Sequence, residues 1–286
     1  MHEGGSVARP SFRRRTAKVV GACVVASGAA LTLSGCTWNE VAFLDLPEPA
    51  TTEGAGIANL WQGAWIAAWA VGILTWGLMI WASVAYLRRW RRNREMPKQT
   101  AYNIPLEILY TIVPLVMILG LFVFTIREQT PLIAVKNDQK ETVNVVGFRW
   151  AWAFNYKGHD TYDVGNPEGN AGGLPTLWLP VNEKIRFELT SPDVIHSFWV
   201  PDFLFKMDVI PGRENVFELT PNKLGTFAGK CTELCGTYHS QMLFNVKVVT
   251  REEFDAHLEA LKAAGNNGYL ESGYTGGMRP SEGNKL

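Results

Sequence analysis

The sequence predicts a hairpin of two membrane-spanning helices followed by an all-β domain. Three observations carry that expectation. Two long, nearly charge-free apolar runs lie before residue 127, with a cluster of basic side chains between them. From about residue 142 the hydrophobic pattern changes to alternation, the mark of half-buried strands. Two cysteines, a histidine and a methionine then fall within twelve residues, Cys231 to Met242.

The 286 residues carry 27 basic and 27 acidic side chains, a balance that gives no reason to expect nucleic acid as a partner. The N-terminal stretch holds Arg9, Arg13, Arg14, Arg15 and Lys18 and then the apolar run Val19–Leu33. A basic start, a short apolar stretch and small residues before Cys36 make residues 1–35 a secretory signal of lipoprotein type. Cys36, in Leu33-Ser34-Gly35-Cys36, is then the expected acylation site, with membrane lipid as its partner. The competing reading is an uncleaved first membrane helix. Residues 36–56 read as an extracytoplasmic linker.

Residues 57–127 read as the transmembrane hairpin. Trp61–Tyr86 is long enough, at 1.5 Å per residue, to cross a hydrocarbon layer of about 30 Å. Arg88, Arg89, Arg91, Arg92, Arg94 and Lys98 follow and mark the cytoplasmic side. A second run, about 108–126 with Pro114 inside, returns the chain, so everything after Arg127 is expected outside the cytoplasm. Signal and charge rule give the same orientation independently. Glu107 stands at the mouth of the second span, where an acid is either functional or simply favourable at a helix start.

Residues 128–264 read as the β-domain. Val143 and Val145, then Ile185, Phe187 and Leu189, then Phe244, Val246 and Val248 alternate with polar neighbours. Turn clusters at 158–173, Pro211-Gly212 and Pro221-Asn222 separate these strands and indicate a sandwich or barrel. Thr250 and Glu253 form a capping-box pattern, and Phe254, Leu258 and Leu261 line one face of a terminal helix. Residues 265–286, Gly-rich and without period, read as a flexible tail.

The chemistry is concentrated in Cys231-Thr-Glu-Leu-Cys235-Gly-Thr-Tyr-His239-Ser-Gln-Met242. Thiolate and thioether are soft donors, and a Cys, His and weak Met set suits electron-transfer copper. His196, in Asp193-Val-Ile-His196, supplies a second imidazole from a distant strand. The second cysteine exceeds what one blue-copper ion needs. Paired thiolates can instead bridge two ions and share one unpaired electron with little reorganisation. Two alternatives stay open on these residues: a Cys2His2 zinc site, which has no use for Met242, and a dithiol switch, which would want alternating strands and helices. His196 alone would pass for a core histidine. Trp150, Trp152, Phe154 and Tyr156 read alone as one packed face of a strand.

Residues 57–255 resemble subunit II of cytochrome c oxidase, the haem-copper oxidase subunit bearing the binuclear centre CuA, in a bacterial lipoprotein-type form. The resemblance implies a cupredoxin-like Greek-key barrel. It implies His196, Cys231, Cys235, His239 and Met242 as side-chain copper ligands and Glu233 as a ligand through its carbonyl. The Glu233 side chain would reach a magnesium site shared with subunit I. In Gly147-Phe-Arg-Trp150-Ala-Trp152, Trp150 matches the electron-entry position, and Phe205–Arg213 is similar to the stretch beside subunit I. Glu107, in Leu106-Glu107-Ile-Leu-Tyr-Thr-Ile-Val-Pro114, matches the acid at a proton-uptake entrance. The implied activity is that of an aa3-type oxidase at the plasma membrane. Electrons pass from a c-type cytochrome, free or in a cytochrome bc supercomplex, through CuA to haem in subunit I, with oxygen reduction and proton pumping. Subunits I and III are the implied partners. A quinol oxidase subunit would share the fold but lack these ligands, and a membrane-anchored copper carrier would lack Trp150 and the full set. Segment 158–175 has no counterpart in the family pattern, and Phe148 and Ala151 break the aromatic region.

Overall fold

The computed structural model describes residues 37–86, 100–165 and 174–270, with Gly21, Cys23, Val25, Gly28 and Gly35. The expected acylation site Cys36, the basic cluster Arg88–Lys98, residues 166–173 of the 158–173 turn segment and residues 271–286 lie outside that description. The chain divides into a unit ending at Leu46 and a unit from Pro47 onward.

In the first unit, helix α1 spans Trp38–Phe43. Thr37 caps it: its hydroxyl accepts from the Glu40 amide, and Glu40 accepts in return from the Thr37 amide. This reciprocal pair satisfies two of the helix's orphan donors.

In the second unit, α2 spans Gly54–Ala85 and α3 Ile104–Ile133. Their most apolar windows have mean hydropathy 1.7 and 2.5 and no buried residue, so both are long and apolar enough to cross a bilayer. At 32 and 30 residues they extend to about 45–48 Å, well beyond a hydrocarbon layer of about 30 Å. The helices thus run a few residues past the expected hairpin limits of 57 and 127. Both helices continue into the β-domain, where Leu132 is buried with Ala50 in its main core. Helix α2 starts early because the Thr51 hydroxyl accepts from the Gly54 amide at 3.1 Å. Residues 50–54 are therefore not a free linker: Thr51 bridges to Pro221, and the Ala50 amide donates to Asp202 at 2.7 Å.

The β-domain contains β1 (Glu141–Phe148), β2 (Ala151–Lys157), β3 (Thr161–Val164), β4 (Thr176–Pro180), β5 (Ile185–Thr190), β6 (His196–Val200), β7 (Phe205–Val209), β8 (Asn215–Leu219), β9 (Gly225–Cys231) and β10 (Leu243–Val249). They form two five-stranded sheets, ordered β3-β2-β1-β5-β8 and β4-β10-β9-β6-β7. Pairing is antiparallel except between β1 and β5 and between β4 and β10. The sheets close on a shared core of Val143, Val145, Trp152, Phe154, Phe187, Phe217, Phe198 and Phe244. Phe198 stacks on Phe244 at 4.9 Å and meets Trp152 edge-on at 5.9 Å. Each such ring contributes about 1.5–3 kcal/mol through burial.

Helix α4, Arg251–Ala263, closes the end of the sandwich, with Phe254 and Leu258 buried as its apolar spacing requires. The expected capping box between Thr250 and Glu253 is present. Arg251 pins the helix to Glu141 and Glu183 and pairs with Asp255 one turn along the same helix. Past the boundary expected after residue 264, residues 266–270 hydrogen-bond to β2, to β3 and to the turn between them.

His257 of α4 lies flat on Trp178, ring centroids 4.1 Å apart, and the Lys247 ammonium sits 3.9 Å from the same indole. Burial, and then the Lys247 charge, push His257 down to about 4. The unfolded chain therefore takes up this proton near the ordinary value of about 6.5, before the folded chain does. This contribution to stability is complete above about pH 6.5 and falls as pH is lowered toward about 4. Thermal melting of the solubilised chain should drop less on acidification in a His257→Phe variant than in the wild type.

Candidate metal centre

Strand parity delivers the first imidazole. His196, Phe198 and Val200 alternate on the inward face of β6 and are 0–2 % exposed. The second group of donors comes from the loop between β9 and β10. Cys231 ends β9 opposite Phe198, and its amide donates to the Met242 carbonyl at 3.1 Å, closing the loop at its base. A second tie runs from the Thr232 amide to the Ser197 carbonyl at 3.2 Å. A short 3-10 turn at His239–Gln241, with the His239 amide donating to Gly236 at 3.1 Å, brings His239 and Met242 back toward the sulfurs.

The two sulfurs, both buried, lie 3.9 Å apart. That is far beyond the disulfide length of about 2.05 Å, so the thiols are separate donors. His196 Nδ1 is 3.9 Å from Cys231 Sγ, and His239 Nδ1 is 3.6 Å from Cys235 Sγ. Two weaker donors complete the set: the Glu233 carbonyl, 3.2 Å from Cys231 Sγ, and Met242 Sδ, 3.8 Å from Cys235 Sγ. His196, Cys231 and Cys235 present ligand atoms within 4.8 Å of one another, enough to hold a metal ion.

The donors fit a soft metal, and their number fits more than one ion. An ion at the usual metal–thiolate length of about 2.3 Å can reach both sulfurs at once, on either side of the line joining them. Two sulfurs, two imidazoles and two weak donors would be more ligands than a single four-coordinate ion takes. A single structural zinc would leave donors over. The geometry also disfavours the dithiol-switch alternative, since the strands enclose the pair in a β-sandwich.

Several groups fix this arrangement. Asp193, whose side chain is 3 % exposed, accepts from His196 Nε2 at 2.9 Å and from the Arg149 amide at 2.8 Å. With Nε2 occupied by the carboxylate, Nδ1 is turned toward the sulfurs. Burial acts against the Asp193 charge, but the His196 bond and the Arg149 and Val194 amides outweigh it and hold the carboxyl below its usual range. Burial likewise acts against a charged His196, and Asp193 and then Cys231 overcome it. The contact between the thiols pulls Cys231 down and pushes Cys235 up. The pair therefore releases its first proton readily, and the thiolate is the form that binds metal.

Trp150 is partly buried in the turn between β1 and β2, outside the core that takes Trp152, Phe154 and Tyr156. Its Nε1–H donates to the Cys235 carbonyl at 3.2 Å, and its ring meets Tyr238 edge-on at 5.0 Å. The Trp152 Nε1–H donates to the Met242 carbonyl at 3.3 Å. Gly236 must be glycine here: its φ is +123°, and a Cβ would stand 3.1 Å from the Trp150 ring. Glu233 projects an exposed side chain from the loop. Glu107 is not brought to the metal loop. It accepts from the Asn103 amide at 2.9 Å at the start of α3, the helix-start role that the sequence left open. Asp193 and Tyr238 were not singled out from sequence, although an acid three residues before a ligand histidine is a usable signal.

The family model described as "Cytochrome C oxidase subunit II, periplasmic domain" matches residues 141–249. A probable cytochrome c oxidase subunit 2 of Streptomyces coelicolor is 47% identical over 278 residues, covering 85% of this chain and 86% of that protein. The cytochrome c oxidase subunit 2 of Mycobacterium tuberculosis is 36% identical over 284 residues, covering 80% and 78%. A crystal structure of the periplasmic domain of subunit II of cytochrome oxidase from Bradyrhizobium japonicum is 32% identical, with TM-score 0.41. It covers 46% of this chain and 99% of that one. Two apolar helices, a β-sandwich with a clustered His, Cys and Cys, and relatives matched over most of their length agree: the chain belongs to the cytochrome c oxidase subunit II family.

Proposed function

We propose that this chain is the electron-entry subunit of an aa3-type, proton-pumping cytochrome c oxidase. In this reading it holds a binuclear CuA centre through His196, Cys231, Cys235, His239, Met242 and the Glu233 carbonyl. The observation that carries the proposal is the pair of buried sulfurs 3.9 Å apart with two imidazoles, a thioether and a carbonyl around them. When bound, paired copper ions supply storage of one electron at a time with little change in geometry.

The residues of the chain do the rest. The base of the loop is fixed to β6 and β10, so its donors keep their places on oxidation and reduction. Asp193 orients His196. Trp150 offers a partly exposed ring joined by one hydrogen bond to the backbone of Cys235, a short route inward from a docked c-type cytochrome. That donor is a free protein or a part of a cytochrome bc supercomplex. Electrons then leave for haem in subunit I, and subunit III completes the assembly. The exposed Glu233 side chain would contribute to a magnesium site shared with subunit I. Glu107 would lie at the proton-uptake entrance, about 40 Å along α3 from the domain. An extracytoplasmic β-domain above two plasma-membrane spans, with Cys36 acylated, completes the reading.

Three outcomes are expected. Metal analysis of the solubilised full-length chain after copper loading should give about two copper ions per chain, and Cys231→Ser should abolish the binuclear signature. Binding of a single copper, or of zinc alone, would overturn the proposal. Asp193→Asn should weaken copper binding about 10- to 100-fold in a chelator competition, because His196 loses the carboxylate that orients it. In the assembled oxidase, Trp150→Phe should slow electron entry from reduced cytochrome c while copper content stays unchanged.

A further inference from the structure

The residues beyond α4 do more than end the chain. Gly265 and Gly268, with φ of +89° and +92°, turn it back toward the first sheet. There Asn267 bridges to Thr161 of β3, and the Asn266 carbonyl accepts from the Thr161 hydroxyl at 2.6 Å and the Tyr162 amide at 3.3 Å. The Gly268 amide donates to the Asp160 carbonyl at 2.9 Å. Leu270 is gripped from both sides by one buried amide: its N–H donates to Asn155 Oδ1 at 2.8 Å, and Asn155 Nδ2 reaches its carbonyl at 3.4 Å. Asn155 is 1 % exposed and is itself tied to Asn144 Oδ1 at 2.9 Å.

The place of this latch gives it a meaning. The outer face of β1 and β2 carries a second, small apolar cluster, Val146, Phe148, Ala151 and Ala153, and Leu270 packs against it. Phe148 and Ala151 are the residues on either side of the Arg149–Trp150 turn. The turn is thus held from within by the bond between Trp150 and Cys235, and from without by a cluster that the C-terminal segment helps cover. The cluster is small, one phenylalanine, one valine and two alanines, with Val164 and Leu270 packed against it, so losing Leu270 would loosen it.

We infer that residues 265–270 are a strap that positions the electron-entry turn, with Leu270 and Asn155 as positioning residues for Trp150. The inference rests on the reading of Trp150 as the entry point. It applies to the rate at which electrons arrive, not to the copper ligands.

The assembled oxidase tests this with five variants: chains ending at Ala264 and at Leu270, Leu270→Ala, Leu270→Ile and Trp150→Phe. Rapid mixing with reduced cytochrome c reads the entry rate, and the copper absorption spectrum and the KM for cytochrome c are read alongside. Ending the chain at Ala264, or Leu270→Ala, should slow entry several-fold with the copper spectrum and KM unchanged. Leu270→Ile and the chain ending at Leu270 should keep the wild-type rate. A wild-type rate in the chain ending at Ala264 would overturn the inference, as would a slowing that follows loss of the copper spectrum. Equal slowing in both truncated chains would overturn it too. Trp150→Phe separates the two claims: normal entry in that variant refutes the Trp150 reading itself, whereas slow entry there with normal strap variants refutes the strap alone.

Discussion

Two buried sulfurs that approach to 3.9 Å and do not bond are the constraint on which the rest of this structure depends. At that separation they stand as two separate donors. The surrounding backbone sets their spacing. Cys231 is fixed as the last residue of a strand paired on both sides, while Cys235 lies four residues along a loop tied at its base to the Met242 and Ser197 carbonyls. The indole N–H of Trp150 holds the Cys235 carbonyl from a third direction. His196 arrives from the opposite part of the chain by strand parity alone, and Asp193 sets its ring. Soft donors, held by hydrogen bonds of ordinary length, form a site with little freedom to rearrange.

The same domain is joined firmly to its membrane helices. The Glu53 carboxylate accepts from the Thr220 amide and hydroxyl at 2.9 and 3.0 Å, just before α2 begins. The Glu218 carboxylate, in a residue 5 % exposed, accepts from the Lys136 and Asn137 amides at 3.1 Å, just after α3 ends. Both acids belong to one corner around the end of β8. Charge-assisted bonds of this kind are stronger than neutral ones, and a buried carboxylate without them would be costly. With Leu132 in the main core, the two helix ends and the sandwich move together. The metal loop is therefore carried at a set height relative to the apolar spans.

Much of this was legible in the residues, for definable reasons. The donor loop could be read because its spacing is local and its side chains are chemically rare. Strands β1, β5 and β10 could be read because apolar residues alternate with polar ones, although Val146 and Phe148 cover part of the outer face of β1 as well. Strand β6 is harder to read because Ser197 and Trp199 stand between its inward residues and Ser197 is buried too, whereas β7 alternates Phe205, Met207 and Val209 with Lys206 and Asp208 over only five residues. The helix limits were missed because Gly54–Asn59 and Glu128–Ile133 look like neither core nor membrane. They become helical through contacts with residues more than a hundred positions away or on the facing helix, as when Glu128 packs against Gly56. The Thr37–Glu40 capping box was visible in sequence and went unread. The docking of residues 265–270 was not legible, because polar, Gly-rich composition says nothing of a partner strand and the Asn155 latch exists only in three dimensions. Trp150 and Trp152 share a parity, yet one lies in the turn and the other in the core, a distinction that periodicity alone does not make.

In the proposed centre the two sulfurs serve two copper ions as one electronic unit. The electron paramagnetic resonance spectrum of the oxidised, purified oxidase tests it most directly. If Cys231 and Cys235 bridge both ions, the unpaired electron is shared and the hyperfine pattern shows coupling to two equivalent copper nuclei. A pattern from a single copper nucleus in this subunit, with the spin on one ion, would contradict the account.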